Sequence, residues 1–100
     1  MQLEIESPHM EANEALQNFI KNKVAFLGKK FSMIKSCDVI LRSEKNNKQQ
    51  SCFIEARMEV PGKTLFASDN ADSFESAFLR LAENLKHQLN RYKEGLKDKI

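Results

Sequence analysis

Three lysines near the end of this chain, Lys86, Lys93 and Lys97, recur with the period of a helix. At 100° per residue they fall within about 20° of one line. Arg80, His87 and Arg91 form a second line beside them, nearer the solvent pole. From Lys86 to Lys97 this basic wedge runs about 17 Å at 1.5 Å per residue. Cations spaced over such a length can track several phosphates of a polyanion. Arginine adds bidentate phosphate binding and stacking on a base. A second cluster, Lys21, Lys23, Lys29 and Lys30, lies between residues 20 and 36, where there is no acid. The plainer reading of both clusters is a solvated helix face whose lysines compensate the negative end of the helix dipole. Lys45, Lys48 and Lys63 fall in predicted turns, where they serve solubility.

Other chemistries find little support. The formal net charge is +2, and the acids gather at the start as Glu4, Glu6, Glu11 and Glu14. Glu4 and Glu6 stand two apart on a predicted strand, which reads as the wet side of an edge rather than an acid/base pair. His9 and His87 are the only histidines, and no nucleophile elbow surrounds Ser7. Catalysis needs a base held near a nucleophile and oriented by a third group, so none is expected. Three glycines, all near caps and turns, leave no phosphate-binding Gly loop. Cys37 and Cys52 with the two histidines match no zinc spacing, and both thiols are expected reduced and half-buried. No metal, cofactor or small-molecule substrate is implied. The acidic start without an apolar segment predicts no signal peptide, and no apolar run is long enough to cross a bilayer. The expected location is the cytoplasm.

One hundred residues make one domain, 1–100, with room for a core but not for a deep cleft as well. Residues 2–7 alternate as a strand that Pro8 ends. Residues 13–27 carry a helical apolar stripe with Asn13 at the N-cap and Gly28 at the C-terminal cap. Residues 37–44 alternate again, and 45–50 form a polar hairpin loop longer than two residues around Asn46-Asn47. Residues 52–60 place Ile54, Ala56, Met58 and Val60 against Phe53, Glu55, Arg57 and Glu59. Pro61-Gly62 is a tight turn, and 64–68 a short fourth strand. Asp72 with Glu75 starts a helix of about 37 Å that ends near Lys97. Its buried stripe is Phe74, Phe78, Leu81, Leu85, Leu89, Tyr92 and Leu96, and its last, basic turns project beyond the core. Gly95 costs about 1 kcal/mol in a helix interior and predicts fraying after Glu94. The fold class is α+β, order β-α-β-β-β-α: a four-stranded sheet with both helices packed on one face. This layout is similar to that of a double-stranded-RNA-binding domain, and it would let both basic clusters share one surface. The other sheet face stays open, with Ile40, Phe53 and Phe66 as a small apolar patch. Phe53 and Phe66 could stack bases there, although packing on neighbours is the commoner role.

The chain resembles a known family. Met1-Gln2-Leu3-Glu4-Ile5 is similar to its opening strand, Met-x-(I/L)-x-I. Ala15, Leu16, Phe19, Ile20, Lys23 and Leu27 resemble its first helix, and Phe31 and Ile34 its F-x-x-I. Val39, Leu41, Glu44 and Lys45 resemble its second strand. Pro61, Gly62, Leu65 and Ala67 resemble its P-G-x-x-L-x-A. Leu85, Gln88, Leu89, Arg91, Tyr92, Lys93, Leu96 and Lys97 resemble its final helix. The family is that of the short ribosome hibernation promoting factors, also called ribosome-associated inhibitors or sigma-54 modulation proteins. No single motif decides; order and spacing over essentially the whole chain do.

The resemblance implies a ribosome-binding domain that sits on the small subunit near the decoding centre and blocks mRNA and tRNA sites. It implies contact with ribosomal RNA through Lys23, Lys30, Arg91, Lys93 and Lys97. The two basic clusters add Lys29, Arg80, Lys86 and His87 as candidates. The protein is expected to be a monomer off the ribosome. The competing expectation is a protein-interaction module using the open sheet face.

Overall fold

The computed structural model describes residues 1–8, 10–46 and 49–97, with the backbone alone for Asn46, Gln49, Gln50, Leu96 and Lys97. His9, Asn47, Lys48, Asp98, Lys99 and Ile100 lie outside the described residues. The elements are β1 (Gln2–Glu6), α1 (Glu14–Lys30), β2 (Ser36–Asn46), β3 (Gln49–Val60), β4 (Lys63–Ala71) and α2 (Phe74–Lys97). The sheet order is β1-β2-β3-β4. β1 pairs parallel to β2, and the other pairs are antiparallel. A parallel pair cannot be joined by a tight turn. The β1–β2 connection therefore crosses over through α1.

Alternation decides the faces. Val39, Leu41, Ile54, Ala56, Met58, Leu65 and Ala67 point inward and are buried. Leu16, Ile20, Val24 and Leu27 of α1 and Phe78, Leu81, Leu85 and Leu89 of α2 close the core from one side. Cys37 and Cys52 take inward positions too, so they are buried rather than half-buried, Cys37 more completely than Cys52. Burial, with Asp38 beside it, pushes the Cys37 thiol up to about 12. Burial, then Glu75 and Asp72, also raise Cys52.

Several boundaries differ from expectation. Asn13 caps α1 as predicted, its Oδ1 accepting from the Leu16 N–H at 2.7 Å. Gly28 does not end that helix. Phe31, 1% exposed, anchors a further turn, and its N–H donates to the Leu27 carbonyl at 2.8 Å. Lys29 and Lys30 are thereby helical. α2 is capped by Ser73, not Asp72: the Ser76 N–H donates to Ser73 Oγ at 3.1 Å. The β2–β3 hairpin leaves only positions 47 and 48 between paired Asn46 and Gln49, because the ladder outlasts the apolar alternation. Lys45 is consequently a strand residue. β4 is likewise nine residues long, its polar second half still paired to β3 as far as Ala71 with Cys52. Lys63 is its first residue, after a turn in which Gly62 takes φ 76°. α2 continues through Gly95 to Lys97 instead of fraying. The Tyr92 hydroxyl, donating to the Pro61 carbonyl at 2.6 Å, ties its end to the β3–β4 turn.

Candidate nucleic-acid interface

Topology brings the two basic clusters to one end. β4 runs antiparallel to β3, which runs antiparallel to β2, so β1 and β4 point the same way. α1 follows β1 and α2 follows β4, and both return across the same sheet face. The helices are therefore side by side and parallel, with their C-termini together. Contacts at both ends agree. Phe19 meets Phe78 edge-on, centroids 6.1 Å apart, in the first turns of both helices. Lys93 meets Phe31 beyond the last turn of α1. Two parallel macrodipoles place two negative ends together, an arrangement that cations near those ends relieve. Lys29, Lys30, Arg91 and Lys93 stand there.

Two helices packed side by side leave a shallow furrow on their solvent side, and along this α1–α2 groove cations are seated on rings. On α1, Phe19, Lys23 and Lys30 share one helical line toward α2. Lys23 Nζ sits 5.7 Å from the Phe19 ring centre. Lys30 Nζ sits 5.7 Å and Lys93 Nζ 5.9 Å from the ring of Phe31. Such contacts orient an ammonium while leaving its N–H groups available. Lys86 lies one heptad before Lys93 on the same flank of α2, half-buried along its stem. Phe19 and Phe31 were absent from the expected site. The spacing of Phe19 with Lys23, and the placing of Phe31 after Lys30, was the available signal.

The other expected residues divide. His87 and Arg91 are exposed on α2, but His87 lies about 100° round the helix from Lys86, on the solvent side, and Arg91 about 160° from Lys93, toward the flank away from α1. The backbone of Lys97 continues the line of Lys86 and Lys93. Lys29 is exposed but lies 100° round α1 from Lys30, on the solvent pole. Arg80 does not join the array. Its guanidinium stands 4.0 Å from the Asp69 carboxylate and donates to the Asn70 carbonyl at 3.5 Å. The end of β4 holds it near the start of α2. Among the described residues, Lys23, Lys29, Lys30, Lys86, Arg91 and Lys93 have no carboxylate within 4.0 Å; the three ion pairs lie elsewhere. No described carboxylate therefore neutralises these cations.

The open sheet face is not the apolar patch expected. Strand register puts Ile40 opposite Glu55, Phe53 opposite Arg42 and Phe66 opposite Arg57. The Arg42 guanidinium covers the Phe53 ring at 5.3 Å. Glu4, Glu6, Asp38, Glu55 and Glu59 make this face acidic. The molecule thus carries a cationic helix face and an anionic sheet face, which turns the helices toward a polyanion.

A family model described as sigma 54 modulation protein / S30EA ribosomal protein matches residues 3–97. The chain belongs to that family. It is 33% identical to the ribosome hibernation promoting factor of Salmonella typhimurium over 97% of this chain and 98% of the relative. It is 29% identical to the factor of that name from Pseudomonas putida, covering 94% and 88%. The fold is that of a ribosomal subunit interface protein from Coxiella burnetii, with a TM-score of 0.82 at 21% identity, covering 94% and 99%. It is also that of the Protein Y N-terminal domain from Thermus thermophilus, with a TM-score of 0.72 at 18% identity, covering 92% and 99%. The expected family and the expected β-α-β-β-β-α fold both hold. Among the described residues no helix is long and apolar enough to cross a membrane.

Proposed function

We propose that this protein is a ribosome hibernation factor that binds RNA of the small ribosomal subunit through the α1–α2 groove. One observation carries the assignment of the surface: lysines from two different helices, Lys30 and Lys93, converge on the single ring of Phe31, and among the described residues neither has a carboxylate within 4.0 Å. A strand laid along the groove places its phosphates near Lys23, Lys30, Lys86 and Lys93, and one that crosses the solvent side of α2 reaches His87 and Arg91. Seated near the decoding centre, it would fill the path of mRNA and tRNA. Inhibition then follows from occupancy, without catalysis. The protein acts as a monomer in the cytoplasm.

The test is co-sedimentation of purified protein with isolated small and large subunits at two salt concentrations. Binding to the small subunit at low salt is expected, and Arg91→Glu with Lys93→Glu should abolish it while the circular dichroism spectrum is unchanged. Undiminished co-sedimentation of that variant would overturn the surface assignment. Exclusive binding to the large subunit would overturn the partner.

A further inference from the structure

A second groove lies on the opposite flank of α2, between that helix and the β3–β4 turn. Its volume is about 670 Å³, and Lys63, Asn84, Gln88, Arg91, Tyr92 and Gly95 are among its lining residues. Small-molecule sites fall roughly between 300 and 1,000 Å³. The chemistry of its walls is specific. Gln88 Nε2 donates to the Phe66 carbonyl at 2.8 Å and to Asn84 Oδ1 at 2.6 Å. Both of its N–H groups are therefore engaged, which fixes the orientation of two amides. Gln88 Oε1 and Asn84 Nδ2 are left as an acceptor and a donor with no partner among the described residues. A paired acceptor and donor complement the edge of a nucleobase. Arg91 and Lys63 supply two exposed cations at the rim, neither within 4.0 Å of a described carboxylate.

Gly95 is an independent sign. It stands inside α2, where glycine is a poor helix former. No close neighbour requires it: a Cβ built there meets nothing within 4 Å. It has no positive φ either, Gly62 being the only described glycine that does. Its effect is on the groove, whose lining it joins; a side chain at 95 would occupy the opening.

We propose that this groove binds one nucleotide, its phosphate on Arg91 and Lys63 and its base edge against Gln88 and Asn84. That chemistry is shared by a free mononucleotide and by one unpaired nucleotide of a bound strand. The strand form rests on the RNA reading above; the mononucleotide form does not.

The test is titration of the ¹⁵N-labelled protein with each of the four ribonucleoside 5′-monophosphates, to about 10 mM so that a site of millimolar Kd is filled. Inorganic phosphate and a short single-stranded RNA are run as parallel arms. Nucleotides are expected to shift Gly62, Lys63, Gly95 and the side-chain amides of Asn84 and Gln88, with inorganic phosphate moving only Lys63 and Arg91. Gly95→Gln should weaken nucleotide binding about tenfold or more, a loss of about 1.4 kcal/mol, whereas Gly95→Ala should retain it. If the strand is the source, RNA binds more tightly than any mononucleotide, and Lys23→Gln with Lys93→Gln weakens RNA alone. If a free nucleotide is the source, mononucleotide and RNA bind alike and that variant changes neither. A failed RNA reading thus leaves the mononucleotide shifts in place. No shifts at the groove with any nucleotide, an identical pattern with inorganic phosphate, or indifference to Gly95→Gln would each overturn the proposal.

Discussion

Neutralising Lys30 and Lys93 together tests the α1–α2 groove most directly, because the two ammonium groups flank one ring from different helices. Four described cations face a strand in the groove: Lys23, Lys30, Lys86 and Lys93. Each phosphate neutralised releases about 0.7 to 0.9 counterions, so log affinity should fall with log salt at a slope of about −2.8 to −3.6. Between 50 and 200 mM salt the intact protein then loses about 50- to 150-fold in affinity for its RNA. With Lys30→Gln and Lys93→Gln the slope should relax to about −1.4 to −1.8, a loss of only about 7- to 12-fold over the same range. The fold should survive, since both lysines are exposed and such exposed ring contacts contribute about 0.5 to 1 kcal/mol each. Fluorescence anisotropy of a labelled fragment of small-subunit RNA, titrated at four salt concentrations, measures both slopes. A variant with weaker binding but an unchanged slope would show that these lysines support the fold rather than touch phosphate. A shallow slope in the intact protein would refute the electrostatic account altogether.

Other substitutions probe the scaffold. Gly28→Ala should raise stability by up to about 1 kcal/mol. The new Cβ meets only the Met1 side-chain tip at 2.9 Å, and that tip is free to move; a lower Tm would contradict this. Asn13→Ala removes the cap accepted from the Leu16 N–H and should cost about 1 kcal/mol in urea denaturation. Burial raises the Cys37 thiol from 9.0 to about 12, so the folded state holds its proton where the unfolded chain releases it. Stability from this group is full below pH 9 and falls as pH rises toward 12, by about 1.4 kcal/mol per unit. Cys37→Ala should flatten that alkaline decline in pH-dependent melting, and an equally steep decline in the variant would rule the thiol out as its cause.

Most of the architecture was legible along the chain. Period-two alternation in Val39, Leu41, Ile54, Ala56 and Met58, and the helical stripe of Phe78, Leu81, Leu85 and Leu89, mark the buried faces without any knowledge of partners. The cations of the groove were legible too, because helical spacing alone aligns Lys86 with Lys93. What failed were the ends. Gly28 and Asp72 look like caps locally, but Phe31 buried in the core and the Ser73 hydroxyl decide where the helices stop. Propensity supplies fractions of a kcal/mol, and burial of one aromatic side chain outweighs it.

The sequence by itself determined which side chains face inward and how charge is divided between segments, since both depend on local periodicity. Only the tertiary structure decided that two helix ends meet, that Lys30 and Lys93 share the Phe31 ring, and that Asp69 withdraws Arg80 from the array. It also decided that Arg42, Glu55 and Arg57 break up the apolar residues of the open sheet face. Those outcomes depend on strand order and register, which are set by pairing between distant residues. No local pattern encodes which stretches pair.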